Sequence, residues 1–334
     1  MSIKVIKAGA LSLFQDKGRY GFQKLGVPVC GPMDANAHRL ANLLVGNPDS
    51  MATLEITLLG PTLHFTRAAC IAISGAHLGA QLNNEPLAIN RPYIVQADDV
   101  IHFSKPVSGC RSYLAVHGGF ALTPVLNSCS TYLKGKLGGH HGGALRAGDQ
   151  IELNTSLDGC RDVLAAMQDS LWDIRIYLSA SLGLNKKNVL RVIKGPQWPM
   201  FTVESVTDFL TEPFLISLQS DRMGYRINGP ALKVTRAQQM LSEAVAFGAI
   251  QVPHGGDPIV IMADRQTMGG YPKIAYIISA DLPSLAQSRP HEKIRFKLIS
   301  LEQAQQLDLK REQAFEALAI SLQPVKHILS RKQP

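Results

Sequence analysis

The sequence predicts a mainly β protein with few helices, folded as two similar β-barrels. Three observations predict it. Short runs rich in Val, Ile and Leu recur along the chain, bounded by turn residues among its 28 Gly and 19 Pro. Such runs read as strands. They do not alternate regularly with long helical patterns, as a parallel α/β sheet would require. A weak internal repeat also runs through the two halves.

The predicted strands are Lys4–Ala8, Leu54–Leu58, Cys70–Ser74, Tyr93–Val95, Val100–Phe103, Arg111–Val116 and Ile151–Leu153 in the first half. In the second half they are Asp173–Leu178, Leu190–Ile193, Phe214–Leu218, Ile250–Val252, Pro258–Ala263, Ile274–Ile278 and Lys293–Leu298. Two helices stand apart. Ala37, Leu40, Ala41 and Leu44 fall on one face of a helix opening after Asp34. Asp34 is its expected N-cap, because a carboxylate accepts from the free N–H groups of a first turn. Gly46 and Asn47 are its expected stops. Leu301, Ala304, Leu307, Phe315 and Leu318 give a packing face to a helix at about 300–322, and the last dozen residues read as frayed.

The repeat rests on ordered landmarks. Met33, Glu55, Gly60 and the strand ending at Phe103 are followed by Met223, Glu243, Gly248 and the strand containing Phe296. Both halves contain Glu-x-x-x-x-Gly. Duplication of one barrel accounts for this order. The expected organisation is a domain at 1–155 with an inserted Gly-rich loop, a second at 173–300, and a helix and tail at 301–334.

Composition narrows the function classes. The formal net charge is +8, but Lys and Arg are scattered without a basic run or stripe, which argues against nucleic acid. Charged residues are 18% of the chain, below the roughly 25% usual for globular domains, which fits surface buried against a partner and equally a large core. The five cysteines, Cys30, Cys70, Cys110, Cys129 and Cys160, are odd in number and lack C-x-x-C spacing, so neither a disulfide framework nor a zinc site follows. No apolar run is long enough for a signal peptide or a membrane span, and a cytoplasmic protein is the expectation.

The chemistry is expected in four segments dense in Gly, Pro and polar residues: Gln15–Asp34, Ser128–Asp149, Ser220–Arg226 and Gln251–Lys273. Glycine lets backbone N–H groups approach a ligand closely. The segment 263–273 leaves an apolar strand and carries the densest set. Asp264 is suited to act as a base or orienting group, Arg265 to hold an anion, Gln266 to pair with an amide, and Lys273 to supply a point charge. Gly269 and Gly270 open room beside Tyr271. An Asp264–Arg265 ion pair bracing a turn is the plainer alternative. In 220–226, Asp221, Arg222 and Arg226 surround a Gly, and a solvated turn is the plainer alternative. The loop 128–143, with Ser130 and Tyr132, reads as a flap or anion cradle. His140 and His141 lack acidic or Cys partners at ligand spacing, so no metal is expected. No G-x-S-x-G elbow supports a Ser130–His140–Asp149 triad, and nothing marks Cys129 as a nucleophile. There is no phosphate loop and no G-x-G-x-x-G after a strand.

These stretches also carry a resemblance. FQDKGRYGFQKLGVPVCGPMD at 14–34, RLANLLVGNPDSMATLEIT at 39–57, STYLKGKLGGHHGGALRAGD at 130–149, SDRMGYR at 220–226 and the segment 241–287 resemble the carboxyltransferase, or allophanate hydrolase subunit 2, family. Within it the chain is most similar to the C-type subunits of 5-oxoprolinase. Cys30 and Met268 depart from the family pattern, which has a small hydroxyl residue and Thr there. The resemblance implies two cyclophilin-like β-barrel domains and a partner of the B-type, or subunit 1, family, with the active site near their shared surface. It implies ATP-dependent opening of 5-oxoproline, a small amide, to glutamate, completed by a third lactam-hydrolase subunit, with ATP shared with a partner. Arg222 and Arg265 are then the expected anion holders. Biotin belongs to a second expectation, carboxyl transfer to urea or a related amide; no biotin-accepting A-M-K-M segment is present. A non-catalytic antagonist of a kinase inhibitor is a third.

Overall fold

The computed structural model describes residues 2–158, 178–236 and 240–330. Cys160 and most of the expected strand 173–178 lie outside them, as do residues 331–334. The chain divides into two compact units. Unit 1 takes Met1–Arg19, Asp34–Leu182 and Gln313–Pro334; unit 2 takes Tyr20–Met33 and Gly183–Glu312.

Unit 1 is built on two sheets. One has six strands in the order Gln150–Ile151, Ile3–Lys7, Thr62–Phe65, Val100–Phe103, Ala80–Leu82 and Glu85–Pro86. The other has five, in the order Leu11–Gln15, Thr53–Thr57, Ser108–Val116, Ala69–His77 and Pro92–Val95. Alternation explains the inner faces. Ile3 and Val5 are buried while Lys4 and Ile6 are exposed, and Ile101 and Phe103 repeat the period. Ile3, Phe65 and Ile101 of the first sheet share one core with Leu54, Ile71 and Leu114 of the second.

The helix Ala35–Leu44 begins where the sequence places it. The Asp34 carboxylate accepts from the Ala37 N–H at 2.9 Å, and Ala37, Leu40, Ala41 and Leu44 are buried. The C-terminal helix spans Leu301–Ser321 and buries Phe315 and Leu318. The Arg39 guanidinium lies 4.4 Å from the Phe315 ring centre, within cation–π range. One expectation is corrected here. Residues 323–329 are not frayed: they form a further helix, Gln323–Leu329, with Pro324 in its first turn. Val325 and Leu329, four residues apart, bury one face and hold it down.

Unit 2 is a closed barrel of strands Val189–Lys194, Lys273–Ile277, Ala249–Gln251, Ile259–Ile261, Gly224–Asn228, Phe214–Ile216 and Lys293–Leu298. The last pairs in parallel with the first and closes the ring, leaving no free edge. Its interior holds Val192, Phe214, Ile227, Ile250, Val260 and Phe296. The helix Val203–Thr211 starts on Thr202, whose hydroxyl accepts from the Ser205 N–H. Its Phe209 stacks on Phe296 at 4.5 Å, with the rings 16° apart. A two-stranded ribbon of Glu243–Ala244 and Met268–Gly269 stands apart from the barrel ladder. The two repeat landmarks sit in different settings. Glu55 is buried inside a five-residue strand, whereas Glu243 opens the exposed ribbon.

Candidate functional site

The polar residues of unit 2 gather at two adjacent points of the barrel. At the first, the loop before strand Gly224–Asn228 meets the loop after strand Ile259–Ile261. These strands are antiparallel neighbours, so the start of one lies beside the end of the other. Arg222 donates from Nε to Asp264 Oδ2 at 3.0 Å and from Nη2 to Asp264 Oδ1 at 2.9 Å. Both side chains are buried, and Arg222 Nη2 also reaches the Gly31 carbonyl at 2.7 Å. A forked pair of this kind is strong and fixed in direction. It ties three stretches of unit 2 together: 31, 222 and 264.

Arg265 has a different environment. It is half-buried, and its Nε donates to the Val245 carbonyl at 3.1 Å while its guanidinium lies 5.8 Å from the Phe247 ring centre. Burial lowers its pKa from the ordinary guanidinium value; Tyr20, Cys30 and Asp264 act in the opposite direction. Among the described residues no carboxylate is in salt-bridge contact with it. Arg222 is thus matched by a carboxylate, and Arg265 is the arginine here with charge left to offer an anion.

The second point is where strand Ala249–Gln251 pairs with Lys273–Ile277. Lys273 is buried, yet its Nζ donates to the half-exposed Glu243 on the ribbon. Gln197 braces both: its Oε1 accepts from the Lys273 backbone N–H at 3.0 Å, and its Nε2 donates to Glu243 Oε1 at 3.1 Å. The hydrogen bond from Lys273 holds the Glu243 carboxyl below its usual pKa range. Gln251, directly opposite Lys273, is buried with its Nε2 unpartnered. A cavity of about 330 Å³ lies just beyond, walled by Met200, Leu232, Val234, Met240, Val252 and His254. Pro272 also lines it, so it ends one residue from Lys273.

Unit 1 has its own polar cluster. Asp16 Oδ1 accepts from the Ser128 hydroxyl at 2.6 Å, the Ser130 hydroxyl at 2.7 Å and the Gly18 N–H at 2.9 Å. Its Oδ2 accepts from the Cys129 N–H at 2.5 Å. Arg19 is fully buried and donates to the Ser130 carbonyl. These bonds shape the 128–143 loop around one carboxylate. Burial, with Asp16 nearby, pushes the Cys129 thiol up to about 11, so it carries almost no thiolate at neutral pH.

Residues 25–298 match the family described as "Carboxyltransferase domain, subdomain A and B". The chain belongs to this family. It is 39% identical to the C-type subunit of 5-oxoprolinase from Escherichia coli over 95% of this chain and 97% of that protein. It is 35% identical to the corresponding 5-oxoprolinase subunit of Haemophilus influenzae over 93% of this chain and 95% of that one. Among solved structures, the Kluyveromyces lactis urea carboxylase superposes with a TM-score of 0.84 at 30% identity. That match covers 95% of this chain but 29% of the larger enzyme.

Within this member of the family, the residues singled out from sequence fall in distinct places. Arg222, Asp264 and Arg265 come together at the first point. The carboxylate pairs with Arg222, 42 residues away, and not with its neighbour Arg265. Lys273, Gln266 and Gly269 lie at the second point, with Gly270 half-buried and Tyr271 exposed beside them. Tyr271 packs edge-on to His254, 6.2 Å between ring centres. Asp221 is exposed and caps its own turn, accepting from the Met223 and Gly224 N–H groups at 2.8 and 3.1 Å. Arg226 projects from an exposed strand position. Ser130 and Tyr132 belong to unit 1, Ser130 buried on Asp16 and Tyr132 paired through its backbone with Leu137. Sequence reasoning did not single out Gln197, Gln251 or Glu243 as functional. Gln251 had a visible signal: a long polar side chain inside the apolar run Ile250–Val252. Gln197 and Glu243 had none, since their partners are distant in sequence.

Among the described residues no cluster of three or more His, Cys, Asp or Glu is placed to hold a metal. Nor is any helix long and apolar enough to cross a membrane.

Proposed function

We propose that this chain is a subunit of an ATP-dependent 5-oxoprolinase, opening the lactam of 5-oxoproline to glutamate together with partner subunits in the cytoplasm. The observation that carries the reading is the near full-length similarity to proteins named as 5-oxoprolinase subunits in two bacteria. A lettered subunit name also supports a partner of the B-type, or subunit 1, family and a third lactam-hydrolase subunit.

A lactam carbonyl is a poor electrophile. ATP is a co-substrate in this reading and supplies the phosphoryl group that turns the lactam oxygen into a leaving group. ADP leaves, water adds at the carbon, and the C–N bond breaks as the nitrogen takes a proton, giving an acyl phosphate; a second water hydrolyses this to glutamate and phosphate. Arg265 suits the developing negative charge, because it is partly desolvated and, among the described residues, in salt-bridge contact with no carboxylate. Arg222 and Asp264 act as positioning residues: their charges satisfy each other, and they fix the backbone that presents Arg265. Lys273 supplies a buried positive charge balanced by Glu243. Among the described residues no glycine-rich phosphate loop accompanies these groups, which supports sharing ATP with a partner.

Coexpression with the partner subunits and an assay of ATP-dependent glutamate release tests the reading. Arg265→Ala is expected to lower kcat at least about a hundredfold, the scale of losing one charge-stabilising group. Absence of glutamate release by the complete wild-type mixture would defeat the proposal.

The urea carboxylase superposition favours a second reading, a biotin-dependent carboxyltransferase subunit acting on urea or a related amide. Arg265 and Lys273 would then steady the ureido oxygen. Inhibition of the activity by avidin separates this reading from the first.

A further inference from the structure

We propose that Gln251, together with Gln266, forms a subsite that recognises the amide carbonyl oxygen of the substrate. The inference deepens the proposed function, since it assumes an amide substrate at this end of the barrel.

Four observations converge. The first is an imbalance. Gln251 is 2% exposed, and its Nε2 has no hydrogen-bond partner. A buried amide nitrogen without an acceptor is destabilising, and an apolar side chain would serve packing better in that strand.

The second is a bulge. Ile250 pairs with Ala275, and the next residue, Gln251, pairs with Lys273 in place of Ile274. The extra residue re-aims the side chains at that rung, a use to which bulges are commonly put beside active sites. It sets Gln251 opposite the buried Lys273.

The third is a convergence. A Cβ built on Gly269 would lie 2.7 Å from Gln251 Nε2 and 3.0 Å from Gln266 Nε2, so the two amide nitrogens converge on the bare Gly269 Cα, where a side chain has no room. Gln266 is exposed.

The fourth is the charge balance, which selects the ligand class. Lys273 already has Glu243 as counter-ion. The donors left over are neutral amides, suited to a neutral carbonyl oxygen more than to a phosphate or free carboxylate. A carbonyl oxygen has two lone pairs and takes two donors. A lactam, a ureide or a simple amide meets that description.

The test compares Gln251→Leu, Gln251→Glu and Gly269→Ala in the assembled enzyme with its partner subunits. Gln251→Leu is expected to raise KM for the lactam about tenfold, the effect of one neutral hydrogen bond, without lowering Tm. A merely structural glutamine would show the opposite: a lower Tm and an unchanged KM. Gln251→Glu presents a carboxylate to the carbonyl oxygen and is expected to weaken binding further. Gly269→Ala forces the two amides away from each other and is expected to act like Gln251→Leu on KM.

A second measurement does not depend on turnover. The full-length chain, labelled with ¹⁵N, is titrated with 2-pyrrolidone, which carries the amide and no carboxylate. A saturable shift of the Gln251 side-chain amide signal supports the subsite, and no shift overturns it. If wild type releases no glutamate but 2-pyrrolidone shifts Gln251, the oxoprolinase reading falls and the subsite stands. If wild type is active and Gln251→Leu keeps its KM, the subsite alone falls.

Discussion

Two buried glutamines, one in each unit, show how differently the same side chain is used. Gln15 ends strand Leu11–Gln15 in unit 1 and donates to the Thr131 carbonyl at 3.1 Å. Beside it, Asp16 accepts from two hydroxyls and two backbone N–H groups. Gln15 and Asp16 have their bonds made there, although the buried Arg19 leaves Nε and Nη1, and Thr131 its Oγ1, without a partner. Gln251 ends strand Ala249–Gln251 in unit 2, and its Nε2 has nothing to donate to. Beside it, a buried ammonium leans on an exposed carboxylate. A glutamine with its bonds made holds shape; one with a donor left over has capacity for a ligand.

The largest test of this contrast is the pair that is most completely matched. Arg222→Ala leaves the buried Asp264 carboxylate without its counter-ion and is expected to cost about 3–5 kcal/mol. Denaturant unfolding measures it, and a loss below about 1 kcal/mol would mean the pair is not the brace described. Next come the two glutamines themselves. Gln15→Leu strands the Thr131 carbonyl and is expected to cost about 1–3 kcal/mol. Gln251→Leu removes an unpaired donor and is expected to be neutral or slightly stabilising. Equal losses at the two positions would erase the distinction.

A third test uses acid. Asp281 is buried, and its carboxylate accepts from Arg191 Nε at 2.7 Å and Nη2 at 2.6 Å. Burial alone would raise its pKa, but the bonds from Arg191 outweigh that and lower it from 3.8. A depressed folded-state pKa contributes stability that is fully present above the unfolded value. That stability is lost as pH falls through the folded value. Unfolding titrations should therefore show it draining away below about pH 4, and Asp281→Asn should flatten that slope. The smallest effect concerns Cys129. With its thiol pushed up to about 11, alkylation by iodoacetamide at pH 7.5 should be slower than for a free thiol and quicken above pH 9. Rapid labelling at neutral pH would show the Asp16 cluster to be looser than drawn.

Much of the β framework was legible because its strands carry Val, Ile and Leu between turn residues. Val100–Phe103 and Lys293–Leu298 match their predicted limits. Gly224–Asn228 was read as loop because Arg226 and Asn228 face outward and Gly224 opens it. The ribbon Glu243–Ala244 with Met268–Gly269 is two residues per strand, too short for any period. The helix Gln323–Leu329 was missed because chain ends commonly fray; its Pro324 sits in the first turn, where proline is tolerated. For the site, the glycine-rich segments were visible, but the pairing of charges was not. Arg222 selects Asp264 over the adjacent Asp221 because strand neighbours bring distant loops together. Asp221 turns back on its own backbone.

The segment Tyr20–Met33 lies early in the chain yet belongs to unit 2, and unit 1 recruits residues from Gln313 onward. Each unit is therefore discontinuous in sequence. During synthesis, unit 2 waits for its strand Lys293–Leu298 to close the barrel, while unit 1 waits for the C-terminal helix that buries Phe315. Neither core is whole until its late segment has left the ribosome, and a fragment cut near residue 183 would carry a piece of the other unit with it.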